Sequence, residues 1–79
     1  MNAGRKMPIV ATAAPNDAEV QFVLGRNLFK AGRDDEALIY LEKADQLRPN
    51  HAKTLHYLGR IYAQEGKYAE ALSTLRKAQ

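Results

Sequence analysis

The sequence predicts an all-α fold, an α-solenoid of two antiparallel helix-turn-helix hairpins, and three observations carry that expectation. First, the chain repeats itself at an offset of 34 residues. Pro15-Asn16 superposes on Pro49-Asn50, Leu24-Gly25-Arg26 on Leu58-Gly59-Arg60, Gly32 on Gly66, Glu36-Ala37-Leu38 on Glu70-Ala71-Leu72, Leu41 on Leu75 and Lys43-Ala44 on Lys77-Ala78. Second, apolar residues recur at three- and four-residue spacing within each unit, the period of an amphipathic helix. Third, Gly32, Pro49 and Gly66 punctuate those runs where helices stop. A period of this size marks stacked units, none of which can bury its apolar face alone.

The elements follow in order. Residues 1–14 are small, Ala-rich and aperiodic, and read as a disordered leader. Arg5-Lys6 followed by Met7 to Ala14 faintly resembles an export signal, but the apolar stretch is short and opens on a proline. Unit one is assigned to 15–49 and unit two to 50–79. A helix near 17–30 is expected, with Asn16 as its N-cap and Glu19 closing a capping box. Its stripe is Val20, Leu24, Asn27 and Leu28, and Gly32 serves as a left-handed C-cap. Asp34-Asp35 opens the second helix, where carboxylates suit the N-terminal dipole. Ala37, Leu38, Leu41, Ala44 and Leu47 form its stripe, and Pro49 ends it. A third helix near 51–64, capped by Asn50, buries Leu55, Leu58, Ile61 and Tyr62. A fourth near 68–79 repeats the stripe as Ala71, Leu72, Leu75 and Ala78.

Gly25 and Gly59 fall mid-helix, where glycine costs about 1 kcal/mol relative to alanine. A penalty repeated at one offset implies a close approach by the facing helix, with Ala37, Ala44, Ala71 and Ala78 as its other half.

These residues closely resemble the tetratricopeptide repeat, a 34-residue helix-turn-helix with the signature W-x₂-L-G-x₂-Y, A-x₃-F, P. In unit two, Leu55 takes the tryptophan place, Leu58-Gly59 the L-G, Tyr62 the tyrosine, Ala71 the alanine and Leu75 the phenylalanine. In unit one, Leu24-Gly25 match, Leu28 replaces the tyrosine, Ala37 and Leu41 follow, and Pro49 closes the unit. Gln21 departs from the pattern at the tryptophan place. The resemblance covers about 15–79 and includes neither a third unit nor a polar capping helix. One flank of the fourth helix, around Leu72, Leu75 and Ala78, is therefore expected to lie uncovered. A fragment of a longer parent that self-associates is the expectation.

In the family, the first helix of each unit lines a concave groove that holds a peptide or a partner's helix. Two candidate rows result: Glu19, Phe22, Arg26, Phe29 and Lys30 from the first helix, and Lys53, His56, Tyr57, Arg60 and Gln64 from the third. Aromatic rings supply rigid contact area, and arginine recognises carboxylates bidentately. The lysine, asparagine and arginine clamp that some members use for a C-terminal carboxylate is mismatched here at Phe22, Arg26 and Tyr57. An acidic or amphipathic peptide segment is the expected ligand.

Other chemistries find little support. The net charge of +3 concentrates after Ala52 and does not form the dense basic stripe of a nucleic-acid binder. Cysteine is absent, so disulfides and thiolate metal sites are excluded. No apolar run approaches the roughly 18 residues of a membrane span. His51 and His56, five apart, do not share a helix face for a metal. Asp34-Asp35-Glu36 read as a helix start, not an acid/base pair. No nucleophile triad or phosphate-cradling loop occurs. The chain is expected to be a non-enzymatic protein–protein interaction scaffold without cofactors and cytoplasmic, export of a parent being the other possibility. The alternatives are a homo-oligomerisation module and a regulatory appendage of a larger enzyme.

Overall fold

Four helices follow one another in the structure, a computed structural model that describes residues 16–78. They are α1 (Ala18–Lys30), α2 (Asp34–Leu47), α3 (Ala52–Gln64) and α4 (Tyr68–Lys77), with no strand among the described residues. The leader expected over 1–14 lies outside the described residues. The α1–α2 and α3–α4 pairs pack as hairpins, and α3 lies against α2 to join them.

Both hairpin turns close in the same way. The C-cap of α1 is Ala31, and Gly32 follows at φ +82°. The Arg33 amide donates to the Leu28 carbonyl at 2.9 Å and the Gly32 amide to Phe29 at 3.0 Å, a Schellman closure. Lys67 to Tyr62 at 2.8 Å and Gly66 to Ala63 at 3.1 Å repeat it one unit later, with Gly66 at φ +80°. An L side chain is strained at that φ, which is why glycine stands at both places.

The helix starts differ from expectation. Asp17, not Asn16, caps α1: its carboxylate accepts from the Glu19 amide at 2.9 Å and the Val20 amide at 3.4 Å. At α3 the extended residue is His51, and Asn50 turns the chain at φ +65°, a conformation asparagine tolerates. The second helix stops at Leu47, because Arg48 precedes Pro49 and is forced out of the helical region.

The buried cluster comprises Phe22, Ala37, Leu41, Ala44, Leu58 and Ile61, with Leu55 and Ala71 also buried. This matches most of the stripes read for α2 and α3, but Leu38 and Tyr62 are only half-buried and Leu47 is exposed. The face of α1 is a correction. It buries Gln21, Phe22 and Gly25, while Val20, Leu24 and Leu28 are half-buried and Asn27 is exposed. Two neighbours set that rotation, with α2 approaching over Gly25 and α3 lying on the Phe22 side. On α4 only Ala71 is buried; Leu72 is 54% exposed and Leu75 37%, the uncovered flank that was expected.

The close approach at the glycines is present in both units. A Cβ on Gly25 would stand 2.5 Å from Leu41 Cγ, and one on Gly59 would stand 2.8 Å from Leu75 Cγ. The facing residue is thus a leucine, not the predicted alanines. Ala37 and Ala44 lie one turn to either side of Leu41 and are buried there. Equivalent surroundings at two positions 34 residues apart are the structural image of the repeat.

Candidate functional site

The exposed faces of α1 and α3 converge on a cleft of about 320 Å³ lined by Phe22, Arg26, Lys30, Lys53, His56, Tyr57 and Arg60. On α3, Lys53, His56, Tyr57 and Arg60 follow i, i+3, i+4, i+7 spacing and so share one face. On α1, Phe22, Arg26 and Lys30 are each four residues apart and line the opposite wall. Four cationic side chains and no carboxylate line the cleft.

Its floor is aromatic. Phe22 meets Tyr57 with ring centroids 5.7 Å apart, and the His51 ring stands edge-on to Phe22 at 5.7 Å. Tyr57 also contacts Phe29 at 5.6 Å and His56 at 6.4 Å. The arginines lie over this layer, Arg26 Cζ 5.9 Å from the Phe22 centroid and Arg60 Cζ 5.0 Å from that of Phe29. Cation–π stacking of this kind holds a guanidinium by its face and leaves its N–H edges for a ligand. Arg26 spends part of that edge on long bonds to Asn27 Oδ1, at 3.3 and 3.4 Å.

Seven of the ten candidate residues line the cleft, and the other three are placed elsewhere. Glu19 Oε1 pairs with Arg48 Nη2, 3.4 Å away at the open end of the α1–α2 hairpin. Phe29 is half-buried behind Tyr57 and beneath Arg60. Gln64 is exposed at the C-terminal end of α3. Phe22 is placed differently from the surface aromatic of the sequence reading: at 4% exposed it belongs to the core and forms the cleft floor. The missed element is His51, whose Nδ1 shares a 2.9 Å hydrogen bond with the buried Thr54 Oγ1. That bond holds the imidazole against Phe22 at the junction of the units. Thr54, three residues after the extended His51, is the signal that could have placed it.

On the other side of α3 the Tyr62 hydroxyl donates to Glu42 Oε2 at 2.9 Å, tying α3 to α2. Burial, that hydrogen bond and the charges of Glu42, Glu70 and Asp45 push the Tyr62 pKa up to about 12. No group of three or more His, Cys, Asp or Glu among the described residues could hold a metal ion. No helix among them is long and apolar enough to cross a membrane.

Helical hairpins in tandem with a preformed groove define a class, the helical-repeat modules of protein–protein interaction. Residues 4–78 match the family model of "Anaphase-promoting complex, cyclosome, subunit 3", a tetratricopeptide-type repeat family, and the chain belongs to that family. Among solved structures it is similar to MamA from MSR-1, at 40% identity and a TM-score of 0.77 over 87% of this chain and 40% of that one. MamA from AMB-1 is similar at 40% identity and a TM-score of 0.79, over 87% of this chain and 41% of that one. A point mutant of MamA is similar at 40% identity and a TM-score of 0.79, with 87% of this chain and 50% of that one covered. The chain therefore spans half or less of the length of these structures. No curated protein matches it.

Proposed function

We propose that the α1–α3 cleft binds an acidic or amphipathic peptide segment of a protein partner, and that the module is a non-enzymatic scaffold. The observation that carries the reading is the pair of arginines, Arg26 and Arg60, stacked on Phe22 and Phe29 above a cleft without a lining carboxylate. Stacking lowers the entropy that each arginine loses on binding, and the rigid hairpins leave most of the ordering cost to the ligand. Apolar side chains of the ligand would lie on Tyr57 between the charged rims.

The test is fluorescence anisotropy with a labelled peptide in which Glu alternates with Leu and Phe. The double variant Arg26→Glu with Arg60→Glu should abolish binding, and binding to the parent should weaken as salt rises. Unchanged affinity in the double variant refutes the assignment.

A second reading, self-assembly, is favoured by the uncovered flank of α4. Tyr68 and Leu72 are largely exposed there, and Leu75 partly. Their equivalents under the repeat offset include Leu41, which α3 helps to cover. Sedimentation across a concentration series tests it, and a monomer at high micromolar concentration removes it.

A further inference from the structure

The cations of the α1–α3 cleft have no counter-charge. α3 contains no acidic residue, and the single one in α1, Glu19, pairs with Arg48. Elsewhere Arg33 pairs with Glu36 and Lys67 with Glu65. None of Arg26, Lys30, Lys53 and Arg60 meets a carboxylate among the described residues. Lys30, Lys53 and Arg60 are exposed and Arg26 is half-buried, so their charges stand within reach of a ligand.

One of them stands against its local field. Lys53 is the second residue of α3, in the first turn, where the helix dipole favours carboxylates and disfavours cations. Unit one has Glu19 at the equivalent place under the repeat offset. The N-cap of α3, His51, makes no side-chain hydrogen bond to the α3 amides. That helix start is positive twice over, through its amides and through its lysine, and Lys53 brings the charge to the cleft wall.

We infer that the acidic group this cleft selects is a phosphorylated side chain of the peptide, a phosphoserine or phosphothreonine, in preference to a carboxylate; the inference rests on the groove reading above. A carboxylate brings one negative charge and two oxygens. A phosphomonoester brings about −1.5 to −2 at neutral pH and three acceptor oxygens. Arg26 and Arg60, held by their faces on the two walls, present their N–H edges, and the third oxygen lets one anion serve both and still reach Lys53. The second negative charge offsets the mutual repulsion of the four gathered cations. Tyr57 seats the apolar residues that flank the phosphate, a contact that a free phosphate ion does not make.

The probes are the labelled peptide in which Glu alternates with Leu and Phe, and two versions with its central Glu replaced by phosphoserine or by serine. Anisotropy on the intact chain should show the phosphoserine peptide binding at least about tenfold more tightly than the Glu parent, and the serine peptide more weakly than either. Lys53→Gln, at an exposed position, should cut the phosphoserine preference below about threefold. Inorganic phosphate at the peptide's own concentration should not displace it. Equal binding of the phosphoserine and Glu peptides, a serine peptide that binds as tightly as either, a preference above about threefold in Lys53→Gln, or displacement by equimolar phosphate overturns the inference. A Glu peptide that binds while phosphoserine gains nothing removes this inference alone. Failure of both peptides removes the groove reading with it.

Discussion

Replacing Gly25 and Gly59 by alanine, one at a time, interrogates the contact on which the stacked fold rests. In an unconstrained helix either change stabilises by about 1 kcal/mol, the difference in propensity. Against that stands the space available. The Cβ on Gly25 would lie 2.5 Å from Leu41 Cγ, 2.8 Å from its Cδ2 and 3.1 Å from its backbone nitrogen. Carbon pairs settle at about 3.5–4.0 Å, so the intrusion is on the order of 1 Å. Leu41 is 0% exposed and its backbone belongs to α2, so α1 and α2 must separate or Leu41 must leave its rotamer. Overpacking of this kind costs about 1–3 kcal/mol, and the added methyl buries no new surface. Contact with a fully buried side chain and with backbone puts this site in the upper part of that range, about 2–3 kcal/mol. The net expectation for Gly25→Ala is therefore a loss of about 1–2 kcal/mol after the propensity gain. In a domain of this size that lowers Tm by roughly 5–15 °C.

At Gly59 the obstacle is Leu75, with Cδ2 at 2.7 Å and Cγ at 2.8 Å but no backbone atom among its near neighbours. Leu75 is 37% exposed and can rotate outward. Gly59→Ala should therefore change stability by less than about 0.5 kcal/mol, the range of tolerant surface sites. Thermal unfolding by far-UV circular dichroism reads both variants. A double-mutant cycle isolates the contact: on a Leu41→Ala background, Gly25→Ala should turn from destabilising to neutral or stabilising. A Gly25→Ala variant as stable as its parent, or a Gly59→Ala loss equal to that at Gly25, would refute the reasoning.

Three more outcomes are expected. Tyr62 keeps its proton to about pH 12 in the folded chain, whereas an unfolded tyrosine releases it near 10. Its contribution is therefore complete below about pH 10 and is lost as pH rises toward 12, because the unfolded state gives up the proton first. Denaturant titrations across that window should show the fall, and Tyr62→Phe should flatten it. Asp17→Ala removes the acceptor for two α1 amides and should cost about 1 kcal/mol, read as a lower denaturant midpoint at unchanged slope. Leu72→Lys places a charge on the exposed flank of α4 and should leave Tm unchanged within error while abolishing any self-association seen by sedimentation.

Much of the architecture was legible because it is local and repeated. A 34-residue offset, 3.6-residue stripes and glycines at Gly32 and Gly66 specify two hairpins without reference to any long-range contact. The buried stripes of α2 and α3 were legible for the same reason, since those helices are covered on the face their apolar residues mark. α1 was misread because two neighbours, not one, set its rotation, and no stripe records a helix wedged between them. Phe22 shows the consequence. Its spacing put it with Arg26 and Lys30, which is correct, but its depth depended on where α3 came to rest.

The caps divide in a similar way. Gly32 and Gly66 were readable because their positive φ demands a residue without a Cβ. Asp17 against Asn16, and His51 against Asn50, were not, since neighbouring residues competed for one role and tertiary packing chose the register.

The sequence by itself determined that this chain is two copies of one helical pair, that glycine would meet a close neighbour in each, and that cations would gather on the first helices. Only the tertiary structure decided which face of α1 turns inward, that Leu41 and not an alanine meets Gly25, and that the arginines lie on phenylalanine rings. The physical reason is range. Periodicity and turn chemistry act within a few residues and are written in order along the chain. Helix rotation and ring stacking depend on residues far apart in the chain, whose meeting is settled by how the two hairpins pack.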